Sequence, residues 1–337
     1  MRANLILLGL LWVAASCTKD PEFPANKSSY EKVNSWTKIS FTRNTATPFH
    51  KRDNAVVVPI GKSAYIVGGN DVPSFSSHTW RYVAETKTLS ILGMYNDLPD
   101  LLKGPVGFSI GSYICFGTGI GSSGFTKSLY VKNTAGNSSL TSWVTMQSVF
   151  GSSSIFPGSA RSNAVCFTIG KNVYLGLGIG ASGYLKDFYC FNPDLKSWKK
   201  VADFMGSGRQ DAVAFVINDR AYVGTGYNNG YLKDFYEYNP FTDSWIKRAD
   251  LPGISRDDAV GFTLSSRGYV GLGWNDTQGV LADFYQYNPY SNTWLQNTNI
   301  GVIGRFGANA WVIDEVPYIG FGSNGVSPLD EIWKANK

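Results

Sequence analysis

Val165, Phe167 and Ile169 stand at every second position, the spacing of a strand with one face packed. A short apolar run, Val173-Tyr174-Leu175, follows after a turn and ends in Gly176. A third run, Phe188-Tyr189-Cys190-Phe191, closes on Asn192-Pro193, a pair that sets a turn and cannot continue a ladder. Trp198 then opens a fourth segment. The pattern predicts a four-stranded antiparallel sheet with strands a to d in chain order.

The same unit recurs. RSNAVCFTIGKNVYLGLGIGASGYLKDFYCFNPDLKSWKKVADF begins at Arg161, and related blocks begin at Arg209, Arg256 and Arg305, so the starts are 48, 47 and 49 residues apart. Weaker copies precede them. RDNAVVVPIGKSAYIVGGN starts at Arg52, with Trp80-Arg81-Tyr82-Val83 as its strand c. PVGFSIGSYICFGTG spans 105–119, with Leu129-Tyr130-Val131 as strand c and Trp143 opening strand d. The block from Arg305 ends in strand c at Glu331-Ile332-Trp333 and has no strand d. Near the other end, Ser35-Trp36-Thr37-Lys38 matches a strand d opening without the three strands before it. The N-terminal strand is therefore expected to complete the last unit, which makes six units and removes open sheet edges.

Periods near 50 and these marks resemble the Kelch repeats of the galactose-oxidase-central-domain superfamily. The marks are Gly68-Gly69 and the equivalent Gly-x-Gly pairs, the Tyr ahead of them and the strand d Trp. The resemblance covers roughly 300 residues. It implies an all-β, six-bladed Kelch-type β-propeller over residues 34–337. The composition agrees: aromatics are 15% and there are 37 Gly, which suits pleated surfaces and tight turns. The net charge of +5 is spread over scattered Lys and Arg, so no nucleic-acid partner is expected.

Residues 1–16 read as a signal peptide. Arg2 is followed by an apolar run from Leu5 to Val13, too short for a membrane-spanning helix of ~20 residues. Ala14-Ala15-Ser16 then leads into Cys17, which resembles a bacterial lipobox, although Ala14 stands where that pattern usually has Leu. The resemblance implies lipidation of Cys17 and a tether over residues 17–33. It places the protein on the outer membrane of a Bacteroidetes-like cell envelope, facing the periplasm or the outside. The remaining Cys115, Cys166 and Cys190 read as buried thiols. A Cys166–Cys190 bridge would have to reach across an intervening strand.

Three sets of residues could carry function. Arg52, Arg161, Arg209, Arg256 and Arg305 occupy one repeat position, with Leu102 and the adjoining Lys103 in the remaining unit. Such a ring could bind an anionic ligand bidentately. Interlocking of the blades is the stronger reading, because strand c opens with Asp187, Asp234, Asp283 and Glu331 in four of the units that carry the Arg, against Thr79 and Ser128 elsewhere. Positions after the strand b glycines vary: Asn70, Ile120, Ile179, Tyr227, Trp274 and Ser323. Tyr227 and Trp274 fall on adjacent units and could stack on a sugar or plug the channel. The insertion at roughly 147–160 is expected to contact a partner or cap the channel.

No cofactor, metal or catalytic residue is expected. His50 and His78 are the two histidines, neither has a second His at ligand spacing, and no nucleophile elbow, Walker loop or Cys-x-x-Cys pair occurs. The expected role is a non-catalytic binding module for a glycan or protein partner at the funnel face. The alternative is an envelope carbohydrate enzyme similar to a sialate mutarotase, with Asp211, Asp257 and Asp258 as candidate acids and bases.

Overall fold

A computed structural model describes residues 32–43, 49–71, 78–92, 98–135, 142–297 and 301–337. Cys17, the signal peptide and most of the tether lie outside the described residues.

Six antiparallel sheets succeed one another along the chain. Blade 4 shows the unit most plainly, with strand a at Val213–Ile217, b at Arg220–Gly224, c at Phe235–Asn239 and d at Ser244–Arg248. The turns form where the sequence places residues tolerant of the left-handed region. Asn218 and Asp219, with φ of 48° and 57°, join strands a and b. Asn239 Oδ1 accepts the Phe241 amide at 2.9 Å in the c–d turn. Gly224 ends strand b because a Cβ there would lie 2.4 Å from the Phe235 ring. The crowding comes from strand c of the same blade rather than from the central channel.

Strand a of each blade lines the axis. Val56–Ile60 lies beside Val106–Ile110, which lies beside Val165–Ile169 and so on through Val213–Ile217, Val260–Leu264 and Asn309–Ile313, and the last returns to the first. The ring is shut in blade 6, where Ser35–Lys38 pairs with Ile332–Asn336, Trp36 opposite Ala335 and Lys38 opposite Trp333. The N-terminal strand thus supplies strand d of the final blade. Closure covers the edge of strand c that blade 6 would otherwise leave open.

Two features depart from the repeat. Thr42–Arg43 pairs in parallel with Thr88–Ile91 and adds a fifth strand to the outer edge of blade 1, an addition with no signature in the repeat. In blade 2, strand d is reduced to Val144–Thr145 and runs into a helix, Met146–Phe150. The insertion does not cap the channel. It packs against blade 3, with Phe156 buried 5.1 Å from Trp198 and 5.2 Å from Tyr189, and Ser154 O accepting Trp198 Nε1 at 2.9 Å.

The interfaces between blades are aromatic. Tyr174 of blade 3 meets Tyr238 of blade 4 at 5.5 Å, and Tyr222 of blade 4 meets Tyr287 of blade 5 at 5.3 Å. Trp245 Nε1 donates to Ala202 O of the preceding blade at 3.1 Å, while Asp243 Oδ1 accepts the Ala202 amide at 2.8 Å. Asn292 and Trp294 hold Ala249 in the same way. The repeated Trp therefore serves a polar clasp as well as a core. Cys115, Cys166 and Cys190 are free thiols, and strand b separates Cys166 from Cys190.

Candidate functional site

The five repeated arginines are turned into the protein. Arg52, Arg161, Arg209, Arg256 and Arg305 are 0–1% exposed. Arg161 forks onto Asp187, Arg209 onto Asp234 and Arg256 onto Asp283, while Arg305 Nη2 reaches Glu331 Oε2 at 3.1 Å. Each also donates to a carbonyl at the end of strand b in its own blade, as Arg209 Nη1 does to Thr225 O at 3.0 Å. Their backbones belong to the preceding blade: Gly178 N donates to Arg209 O, and Arg209 N donates to Leu185 O. One residue type thereby joins neighbouring blades by main chain and side chain together. The donors that would grip an anion are already committed, so the arrangement is that of a structural lock.

Burial works to raise Asp187, Asp234 and Asp283, but hydrogen bonds and the charge of the facing guanidinium outweigh it and hold all three below 3.8. Blade 2 carries no lock of this kind. Leu102 is buried in an apolar cluster with Phe116 and Trp143, and Lys103 points elsewhere, exposed. Blade 1 keeps Arg52, with Phe49 4.3 Å from its guanidinium carbon and buried Thr79 opening strand c.

Two residues after each arginine position lies a second ring: Asn54, Gly104, Asn163, Asp211, Asp258 and Gly307. All six have φ between 49° and 60°. This left-handed conformation suits Gly, Asn and Asp, which explains the choice of residue types. Main-chain bonds tie neighbours together, with Asn54 N donating to Gly307 O, Asn163 N to Gly104 O and Asp211 N to Asn163 O. Gly104 is required because the Asn163 amide occupies the space a Cβ would take. The ring and the residues that follow it enclose a polar cavity of about 230 Å³ where the channel opens.

Asp211 and Asp258 are neighbours in this ring, and among the described residues no arginine pairs with either. Burial, Asp258 and Asp257 push Asp211 well above 3.8, against hydrogen bonds from Asn163 and Gln210. Burial and then Asp53 push Asp258 up to about 6. Beside them, burial and then Asp258 push Asp257 up to about 7, and its buried Oδ1 has no hydrogen-bond partner among the described residues. The sequence signal for this ring is the Asn, Gly or Asp found two places after each Arg position.

Tyr227 and Trp274 stand just outside the ring, half-buried, each bridged by backbone to the segment that follows the arginine. They are joined through other groups. Tyr227 packs edge-on to Tyr231 at 5.2 Å, and Asp276 Oδ1 accepts both Tyr231 OH at 2.7 Å and Trp274 Nε1 at 3.0 Å. Trp274 also meets Phe306 of blade 6 at 5.3 Å. Asp276 lies in a b–c loop where the units differ, and Tyr231 shares its repeat position with Tyr184 of blade 3, so periodicity marks neither as part of a site. Among the described residues no three His, Cys, Asp or Glu gather as metal ligands.

Residues 55–255 match the KLHDC2/KLHL20/DRC7 Kelch-repeats domain. The chain belongs to this Kelch-repeat family. Kelch propellers generally bind protein partners, and the six blades here provide that kind of scaffold. No curated protein matches the sequence.

Proposed function

We propose that this Kelch protein is a cell-envelope lipoprotein whose propeller binds a protein partner on the face where the channel opens. The observation that carries the reading is the division of labour around the ring. The repeated arginines are consumed inside the blades, while that one face gathers groups that differ from blade to blade: Tyr227, Trp274, Asp257 and Asp276. Side chains that serve the blade repeat with it. Variable aromatic and acidic groups on one rim suit recognition. The envelope placement rests on Cys17 after Ala14-Ala15-Ser16.

The test is capture of a partner from the native envelope by photo-crosslinking from positions on this face, compared with positions in the a–b turns on the opposite face, such as Lys171. Capture that depends on the channel-mouth face and is lost in Tyr227→Ala/Trp274→Ala supports the reading; face-independent capture defeats it. Anchoring is checked separately, since Cys17→Ala should abolish incorporation of labelled fatty acid.

A second reading, a carbohydrate mutarotase or epimerase, draws support from Asp211 and Asp258, carboxyls raised toward neutrality and free of arginine. The committed arginines and the acidic mouth argue against an anionic sugar as its substrate. Faster anomer exchange of a neutral sugar, followed by NMR, would favour this reading; no acceleration at micromolar protein would end it.

A further inference from the structure

We infer that the channel mouth receives one basic side chain, a lysine or an arginine, presented by the protein partner. This deepens the binding-module reading above and rests on it. The chain as a whole carries +5, yet Asp53, Asp211, Asp257 and Asp258 crowd the two ring positions at the opening, with Asp276 close behind Tyr231. The cation at the corresponding register is Lys103 of blade 2, exposed on the far side of Asn163 from the Asp211–Asp258 pair. Like charges gathered without a countercharge are held at a cost, which a complementary partner relieves.

Groups other than the charges point to a ligand. The Asp258 carboxylate is half-buried, opens onto the cavity, and has no hydrogen-bond donor among the described residues. Asn309 lines the same cavity and its buried Nδ2 has no acceptor among them. Asp257 Oδ1, one residue away, is likewise buried and unmet. An ammonium or guanidinium in the cavity supplies donors to Asp211 and Asp258, the two carboxylates that line it, and a main-chain carbonyl beside it would meet Asn309.

Size and surroundings choose the occupant. A cavity of about 230 Å³ exceeds several-fold the ~30 Å³ share of one water, more than a bare ion needs. Tyr227, Tyr231 and Trp274 add π faces along the approach, suited to a cation and its aliphatic stem. A neutral sugar would stack there but would leave the carboxylates uncompensated.

The test is saturation-transfer NMR on the purified chain with acetyl-Gly-Lys-Gly-amide and two counterparts, one with Nε-acetyllysine and one with norleucine in place of the lysine. The lysine peptide should bind at least ten-fold better than either. Its binding should strengthen from pH 5 to pH 8, as Asp211, Asp257 and Asp258 ionise, and should be lost in Asp211→Asn/Asp258→Asn. The thermal melt of that variant shows that it folds, and Lys171→Ala, in an a–b turn on the opposite face, should retain binding. Equal binding of the acetylated peptide, unchanged binding by the double variant, displacement by millimolar calcium chloride or a methyl glycoside taking the lysine's place would each overturn the inference. If partner capture still depends on this face while the peptides fail, the basic side chain is wrong and the binding module stands. If capture is face-independent, the module reading falls whatever the peptides do.

Discussion

Arg161 and Asp187 meet fork to fork, with Nη1–Oδ1 and Nη2–Oδ2 both at 2.8 Å, inside a protein where the guanidinium is fully buried. Removing one side strands the other, so Arg161→Met should cost about 3–5 kcal/mol. Replacing both, as Arg161→Met/Asp187→Leu, should recover much of that loss, following the Leu102 solution that blade 2 already uses. Urea denaturation of the single and double variants measures this; equal loss in both would show that the pair does not act as a unit.

Asp258 titrates high in the folded chain. Its carboxyl is raised from 3.8 to about 6, so between those values the native state holds more protons than the unfolded chain and stability falls as pH rises. Asp258→Asn should therefore leave the melting temperature nearly unchanged at pH 4 and raise it increasingly up to pH 6. Above that the gain should be constant. A gain that does not vary with pH would show that Asp258 is not raised.

Asp187, Asp234 and Asp283 run the other way. Their lowered values mean that stability from the arginine locks is complete above the ordinary carboxylate range and is lost as pH falls through the folded values. Arg161→Met/Asp187→Leu should accordingly be less sensitive to acid than the parent. A pH titration of unfolding below pH 4 checks this.

Closure hangs on Trp36, which packs edge-on to Phe262 at 5.9 Å and against Phe284 at 6.1 Å in blade 5. Trp36→Ala should cost about 3–5 kcal/mol and, by freeing Ser35–Lys38, expose the Ile332–Asn336 edge. Hydrogen exchange should speed up first in the amides of blade 6. Protection that is unchanged there would show that the circle is shut by other means.

The three thiols should be inert in the native state. Burial raises Cys115 well above 9.0, pushes Cys166 up to about 12 and raises Cys190 as well. In a Cys17→Ala background, an aromatic disulfide reagent at pH 8 should label them slowly, and all three promptly once denaturant is added.

Period, strand content and the joining of the termini were legible in the chain because each blade repeats the same local solution. Val213, Phe215 and Ile217 face one way at spacing two, Asn239-Pro240 turns the chain, and Trp245 clasps the previous blade; the unmatched Trp36 then had one place to go. Which way an arginine points is not a local matter. Arg209 could reach a ligand or Asp234 by sequence alone, and the packed b–c loop settled it by burying the guanidinium. The same holds for Tyr231 and Asp276, and for the meeting of Asp211 with Asp258. Spacing along a repeat specifies a residue's height on its blade, but only the closed circle brings neighbouring blades to one rim and withdraws water from the charges gathered there.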